Sequence, residues 1–523
     1  MMAGRHYDVI VLGRTLGCLL AAALLARRNF SVLVLGQGQL PATYTLGSHM
    51  LRRRTFSLLG ASSPVFRRAL VELAQSQTFR RRTVALDPML GVVQPVRRYE
   101  VPPDLERFGK EIDREFPEVR RVVDDLYATL ARVNDAMDGV VGTDAELPPG
   151  GFWERRRIAR ALSHVPFLDL PSGTDILGDF PQFHAYRAVV DASVAFASDL
   201  SSQTRPLPAL AVARLHGSWT RGVVTLPGGE DELTEFLEAR ITAHGGTLAL
   251  DERAERLVVQ RDGVAGVMVE GDVVRTGGRF VLSSSTGEEL AELARGEGLL
   301  AGAQRDWPRV VANVGRFVVS LVVARAGLPD ALGYETFLFP QAAGSAVDPR
   351  QPVVRLCRTD DPSAPPATLG THTTLVAETL LPTRGPLSVL DARHAVLATL
   401  RRYFPFLERH LAVVDSPHDG LSVWIYENGQ RREVDRVHLR GSGIRAEPMT
   451  MQLDVQPLSF HDLAGEPVRG PIERTLLLGK SVLPALGQEG ELVAAWTAAR
   501  IVTKSDPRRE KLRLEMWNRV EIG

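Results

Sequence analysis

The stretch Tyr7–Gly36, YDVIVLGRTLGCLLAAALLARRNFSVLVLG, decides how the rest of the chain is read. An apolar run from Tyr7 to Leu12, interrupted only by Asp8, stops at Gly13. A run rich in Leu and Ala follows from Leu16 to Arg27, and a second apolar run spans Val32 to Leu35. These lengths and periodicities predict strand, tight turn, helix, strand. Both strand runs are apolar almost throughout rather than alternating, as in a parallel sheet covered on both faces, and the unit has the roughly 30 residues of a βαβ crossover. A helix N-terminus at the end of a strand invites an anion, so a nucleotide is the first ligand to consider.

The turn is specific and incomplete. A dinucleotide fingerprint reads G-x-G-x-x-G with an acidic residue closing the second strand. The six positions here are Gly13, Arg14, Thr15, Leu16, Gly17 and Cys18. Gly13 supplies the tight turn. Thr15 brings a Cβ to where a backbone approaches a pyrophosphate, and Cys18 stands at the glycine that permits close packing of helix on strand. Gly36, followed by Gln37, replaces the acid expected to hold a ribose. Losing a charged acceptor weakens binding by roughly 1.5–3 kcal/mol, about ten- to a hundredfold. Arg14 stands within reach of a phosphate and offsets part of that loss. Taken alone, the motif also admits a buried structural βαβ unit that holds no ligand.

The same stretch is not the expected shape of an export signal. Asp8 and Arg14 interrupt it, no small-residue cleavage site follows, and it ends in a second strand pattern. No other window is apolar over the ~18 residues that a membrane span needs. With 523 residues, 44% of them hydrophobic and 24% charged, the chain is long enough for two or more domains of ordinary globular composition. Its net charge of zero implies no attraction to nucleic acid. Lys supplies only four of the 62 basic residues, a bias that a GC-rich bacterial genome explains. Two cysteines, Cys18 and Cys357, suit a reducing cytoplasm better than a disulfide framework.

Beyond the opening unit, the basic segments Leu51–Gly60 and Ser62–Leu70 read as loop-like, with their Arg runs on a solvated face. Apolar residues at helical spacing predict one or two amphipathic helices between Pro103 and Asp135. Residues 151–170, GFWERRRIARALSHVPFLDL, form a basic amphipathic stretch flanked by aromatics. It suits either a membrane surface or the cover of a substrate cavity.

A Pro-Gly-Gly turn then leads into a predicted helix, Asp231–His244, closed by Gly245 and Gly246. Strand patterns follow at Thr247–Leu250, Ala254–Gln260, Val264–Val269 and Arg279–Ser283, with the turn Arg261-Asp262-Gly263 between the second and third. Residues 307–470 are strand-rich and suggest a sheet walling a cavity. Their histidines are not at metal-ligand spacing, and no metal is expected. The tail, TLLLGKSVLPALGQEGELVAAWTAARIV, Thr475–Val502, reads as a strand at Leu476–Leu478, a loop from Gly479, and an Ala-rich helix from Glu491 to Val502.

Three of these blocks, Tyr7–Gly36, Leu226–Val269 and Leu476–Val502, resemble the FAD-dependent phytoene desaturase and amine oxidase-like flavoproteins, the last two most closely the carotenoid desaturase and isomerase branch. They cover roughly a fifth of the chain. The resemblance implies an α/β fold with a discontinuous Rossmann-like FAD-binding domain at 1–60, 205–300 and 470–523. The remainder, 61–204 and 301–469, is expected to form an α+β substrate domain with a twisted, mostly antiparallel sheet and a helical cap. It further implies FAD contacts at Gly13, Thr15, Leu16, Gly17, Gln37, Leu257, Gly479, Leu486, Gly487, Glu489 and Gly490, beside Arg14 and Gly36 read from the turn. In such enzymes hydride passes to the flavin, so no particular acid or base is demanded and none is named here. The expected substrate is hydrophobic, such as a polyene or isoprenoid, and the expected location is cytoplasmic with possible peripheral membrane contact through 151–170. The departures at Thr15, Cys18 and Gly36 leave a second expectation open: a flavin-fold relative without catalysis, resembling GDP-dissociation inhibitors or an assembly subunit, that binds a lipidated or protein partner.

Overall fold

The computed structural model describes all residues except 1–4, 172, 204, 262, 272–273, 342–347, 366–367, 442, 444 and 522–523, and only the backbone of 516 and 518–521. The predicted turn residue Asp262 lies outside the described residues.

The opening unit forms as its pattern dictates: β1 (His6–Leu12), α1 (Leu16–Arg27) and β2 (Val32–Leu35). Thr15 ends the turn as the N-cap of α1, its hydroxyl accepting from the Cys18 amide at 3.3 Å. α1 is buried from Gly17 to Ala26. It packs against β2 and between the helices Glu230–Ala243 and Gln488–Lys504. Small side chains make this possible: Ala21, Ala22 and Ala23 on α1 and Ala494, Ala495, Ala498 and Ala499 on the C-terminal helix are all fully buried.

Among the described residues the first sheet runs, in order, 254–260, 263–269, 276–283, β1, β2 and 247–249, with Thr475–Leu477 beside Thr276–Ser283. β1 pairs in parallel on both edges, Val9 opposite Val32 and His6 opposite Gly277. Its strands therefore come from three separated parts of the chain. The second sheet runs 430–434, 423–427, 411–415, 309–324, 372–382, 354–358, 335–338, 90–94 and 97–101, with Thr450–Gln456 beside the long strand Arg309–Ala324. It is antiparallel except where Glu335–Leu338 meets Leu90–Gln94. Helices including Leu105–Glu115, Arg120–Val141, Ala185–Ala197 and Ala209–Thr220 complete the molecule, which is an α/β protein with one largely parallel and one largely antiparallel sheet.

The Arg runs after β2 depart from the solvated-face expectation. His49–Arg52 is a strand and Pro64–Glu72 a helix. Arg53 is only 5% exposed and pairs with Glu447 at 2.6 Å, while Arg54 pairs with Glu230 at 2.5 Å. Their acids lie in distant sequence, so local reading assigns the Arg to water. The helix Gln488–Lys504 also begins three residues earlier than expected, because Gly487, at φ +54°, serves as its N-cap.

Candidate functional site

β1, the strand Thr276–Ser283 and Thr475–Leu477 end side by side, and a cavity of about 490 Å³ opens at their carboxyl ends. This is where an open α/β sheet places its ligands, and the volume is that of a small-molecule site. The cavity starts at Arg14, Thr15 and Leu16, passes Gly479, Lys480, Ser481, Gln488 and Glu491, and ends on the second sheet at Arg316, Arg355, Glu378, Thr450 and Leu453. It thus touches the N-termini of two helices, α1 and Gln488–Lys504, each carrying a partial positive charge.

Of the thirteen expected cofactor contacts, Arg14, Thr15, Leu16 and Gly479 line the cavity. The glycines of both turns, Gly479 among them, are closely packed by the protein. A Cβ on Gly13 would stand 2.3 Å from Ser284 Oγ, on Gly17 2.9 Å from the Leu478 carbonyl oxygen, and on Gly479 2.2 Å from the Ser284 carbonyl oxygen. Gly487 meets the Ala197 carbonyl and Gly490 the Leu483 carbonyl in the same way. Leu486 is buried, and Glu489 turns from the cavity to Arg214, at 2.5 Å.

Gly36, Gln37 and Leu257 lie outside the cavity lining. A side chain at 36 has no room, since its Cβ would sit 1.8 Å from the Leu250 carbonyl oxygen. Gln37 adopts φ +51°, and its Oε1 accepts from the Ala254 amide at 2.6 Å. Leu257 is fully buried in the hairpin opposite Val267. The segment Leu250–Ala254 therefore lies in close contact with the end of β2.

Arg14 is also engaged: its guanidinium pairs with Glu238 at 2.5 Å, and its amide donates to Gln39 Oε1. Gln39 in turn donates to Ser284 Oγ at 3.3 Å, so its side chain lies across the mouth of the glycine turn.

Sequence reading missed the rest of the wall. Glu491 is 8% exposed, and its Oε2 faces the Gly17 amide at 3.5 Å. Burial pushes its carboxyl up to about 7, with Lys480 opposing and Asp199 adding to the rise. Lys480 is held by Asp199 at 3.0 Å. On the second sheet, Arg355 lies directly across from Glu378 in register and bonds it at 3.3 Å, while Arg316 bonds the same carboxylate at 2.7 Å. Arg355 also pairs with Glu335 at 2.5 Å and lies over the Trp219 ring. Burial pushes Glu378 up, but the two guanidinium groups outweigh it and hold the carboxyl below its usual range. The signal was present: Arg316, Arg355 and Glu378 are charges inside otherwise apolar strands, and Glu491 is an acid opening an Ala-rich helix. The wall therefore combines these ion pairs with apolar side chains, among them Phe56, Leu59, Phe196 and Leu453.

Tested against FAD, the residues divide. The open space reaches two helix N-termini and the second sheet, which suits a phosphate and a ring system. At the end of β2, Gly36 packs on the Leu250 backbone and Gln37 accepts from the Ala254 amide, so neither position offers an acidic side chain to a ribose. Among the described residues no cluster of His, Cys, Asp and Glu can hold a metal.

Solved structures share this architecture. An oxidoreductase from Methanosarcina mazei superposes with a TM-score of 0.56 at 15% identity over 94% of this chain and 99% of that one. Putrescine oxidase bound to putrescine gives 0.52 at 14% identity over 96% and 99%. At such identities the likeness establishes the fold, which these two proteins share with this chain over nearly its whole length. No protein-family model matches the chain, and no curated protein sequence does.

Proposed function

We propose that the chain is a flavin-dependent oxidoreductase of the amine oxidase-like type, with its cofactor in the cavity between α1 and the second sheet. The observation that carries this reading is one continuous cavity running from the N-terminus of α1, past the N-terminus of Gln488–Lys504, to the second sheet. The partial positive charge at the N-termini of α1 and the helix Gln488–Lys504 would favour the phosphate and the electron-rich edge of the ring. A bound flavin supplies a two-electron acceptor for hydride from a C–H bond. The chain orients the substrate against the second sheet and keeps water from it.

The substrate class we favour has an apolar body with a polar end. Phe56, Phe196 and Leu453 receive the first, and the Arg316–Glu378–Arg355 cluster receives the second. A purely hydrocarbon polyene is less well served, because it would strip water from those charges without replacing a hydrogen bond.

A second reading rests on Gly36, Gln37 and Leu257, which the chain has turned inward: a flavin-fold protein that binds a lipidated or protein partner without catalysis. One absorption spectrum separates the two. Protein incubated with excess FAD and desalted is expected to retain a flavin band that bleaches under a reductant. A spectrum with no such band would retire the oxidoreductase and leave the binding protein.

A further inference from the structure

The segment 151–170 forms a helix over Phe152–Leu162, and none of its residues lines the cavity, so it does not cover the site. At about 100° per residue, Glu154, Ile158 and Leu162 share one face. Ile158 and Leu162 are buried, and Glu154 turns inward to Lys504 at 3.5 Å. The opposite face carries Phe152, Trp153, Arg156 and Arg160, all exposed. Phe152 is 71% and Trp153 74% exposed, their rings 5.4 Å apart in an edge-to-face pair that packs against no other aromatic ring among the described residues. Arg155 is also exposed, and Arg157 donates to the Asp144 carbonyl at 3.1 Å. No acid among the described residues pairs with Arg155, Arg156 or Arg160, and the one acid of the helix is spent inside.

We infer that this helix face docks the protein on an anionic lipid surface, lying in the plane of the headgroups. Two adjacent aromatic side chains, one with an indole N–H, match the boundary between headgroup and acyl chain. Two unpaired guanidinium groups beside them, Arg156 and Arg160, match negative headgroups and keep their stems along the apolar layer. The charge of the face selects the occupant: a single exposed sign beside aromatic rings complements a bilayer carrying the other sign. Among the described residues no helix is long and apolar enough to cross a membrane, so the contact is peripheral. The inference is independent of the flavin reading.

Co-sedimentation of the full chain with phosphatidylcholine vesicles, and with vesicles that also carry phosphatidylserine, tests it. Binding is expected only to the second, weakened roughly thirtyfold or more by Arg156→Glu with Arg160→Glu, and weakened also by Phe152→Ser with Trp153→Ser. Both pairs are surface changes, and unchanged far-UV circular dichroism confirms folding. Brominated acyl chains are expected to quench tryptophan emission in the parent, and Trp153→Phe to abolish most of that quenching while sedimentation persists. Absence of binding to either vesicle, or binding that neither pair of substitutions alters, would overturn the proposal. So would self-association that the aromatic pair controls in the absence of vesicle binding, which would assign the face to a second copy of the chain.

Discussion

Glu491 shows how one buried group couples the site to pH. Unfolded, its carboxyl titrates at the ordinary value; folded, burial lifts it to about 7. Between those values the folded chain keeps a proton that the unfolded chain has lost. Its contribution is therefore fully present at low pH and is lost as pH rises through about 7. Glu491→Gln mimics the protonated acid and removes this dependence. Thermal midpoints taken at about pH 5 and about pH 8 should show the variant gaining on the parent at the higher value; an equal difference at both would mean that the carboxyl is not held neutral. Gly36 acts by sterics instead. Gly36→Ala pushes a methyl group into the Leu250 carbonyl, and a loss of ~1–3 kcal/mol in urea unfolding is expected. Arg355→Met leaves Glu335 without its only guanidinium among the described residues and takes one of two from Glu378. Stripping a partner from a buried pair costs ~3–5 kcal/mol, which the same unfolding experiment reads.

At the scale of elements, the opening βαβ unit was legible because its code is local. Apolar runs, a glycine turn and an Ala-rich helix place α1 at Leu16–Arg27 and β2 at Val32–Leu35 from sequence alone, and the structure has both at those bounds. The hairpin strand Ala254–Gln260 was legible for the same reason. The wall of the cavity was not, since it forms where strands far apart in sequence come into register: Glu378 meets Arg355 across one pair of strands and Arg316 along the next. The packing at the end of β2 was not legible either: the Leu250 carbonyl lies against Gly36, and the Ala254 amide donates to Gln37. A measurable consequence follows for affinity. If the adenosine half finds no wall, FAD and FMN should bind within about threefold of each other, where a contact to a charged ribose acceptor would separate them by ten- to a hundredfold. Fluorescence titration of both flavins decides, and a strong preference for FAD would show that the adenosine half is held.

At the scale of the whole molecule, the first sheet is a joint product of both ends of the chain. Thr475–Leu477 pairs with Thr276–Ser283, and the helix Gln488–Lys504 packs along α1 over buried alanines. A chain ending at Gly470 loses a strand of this sheet and one wall of α1 together. It should lack a cooperative thermal transition and bind a hydrophobic dye, whereas the full chain should melt in a sigmoid. A cooperative melt of the shortened chain would show that the N-terminal unit folds alone.

The division between the two levels follows from the range of the forces. Periodicity, turn chemistry and capping act over a few residues, so the order of elements, the parallel character of the first sheet and the position of the glycine turn were determined by the amino-acid sequence read locally. Ion pairing and steric closure act between residues hundreds apart. Only the tertiary structure decided that Arg53 and Arg54 pair with Glu447 and Glu230, that Glu491 stands under the Gly17 amide, and that Gly36 and Gln37 pack against the segment Leu250–Ala254. A charge is placed inside when a partner arrives to hold it, and the partner's arrival is a property of the fold.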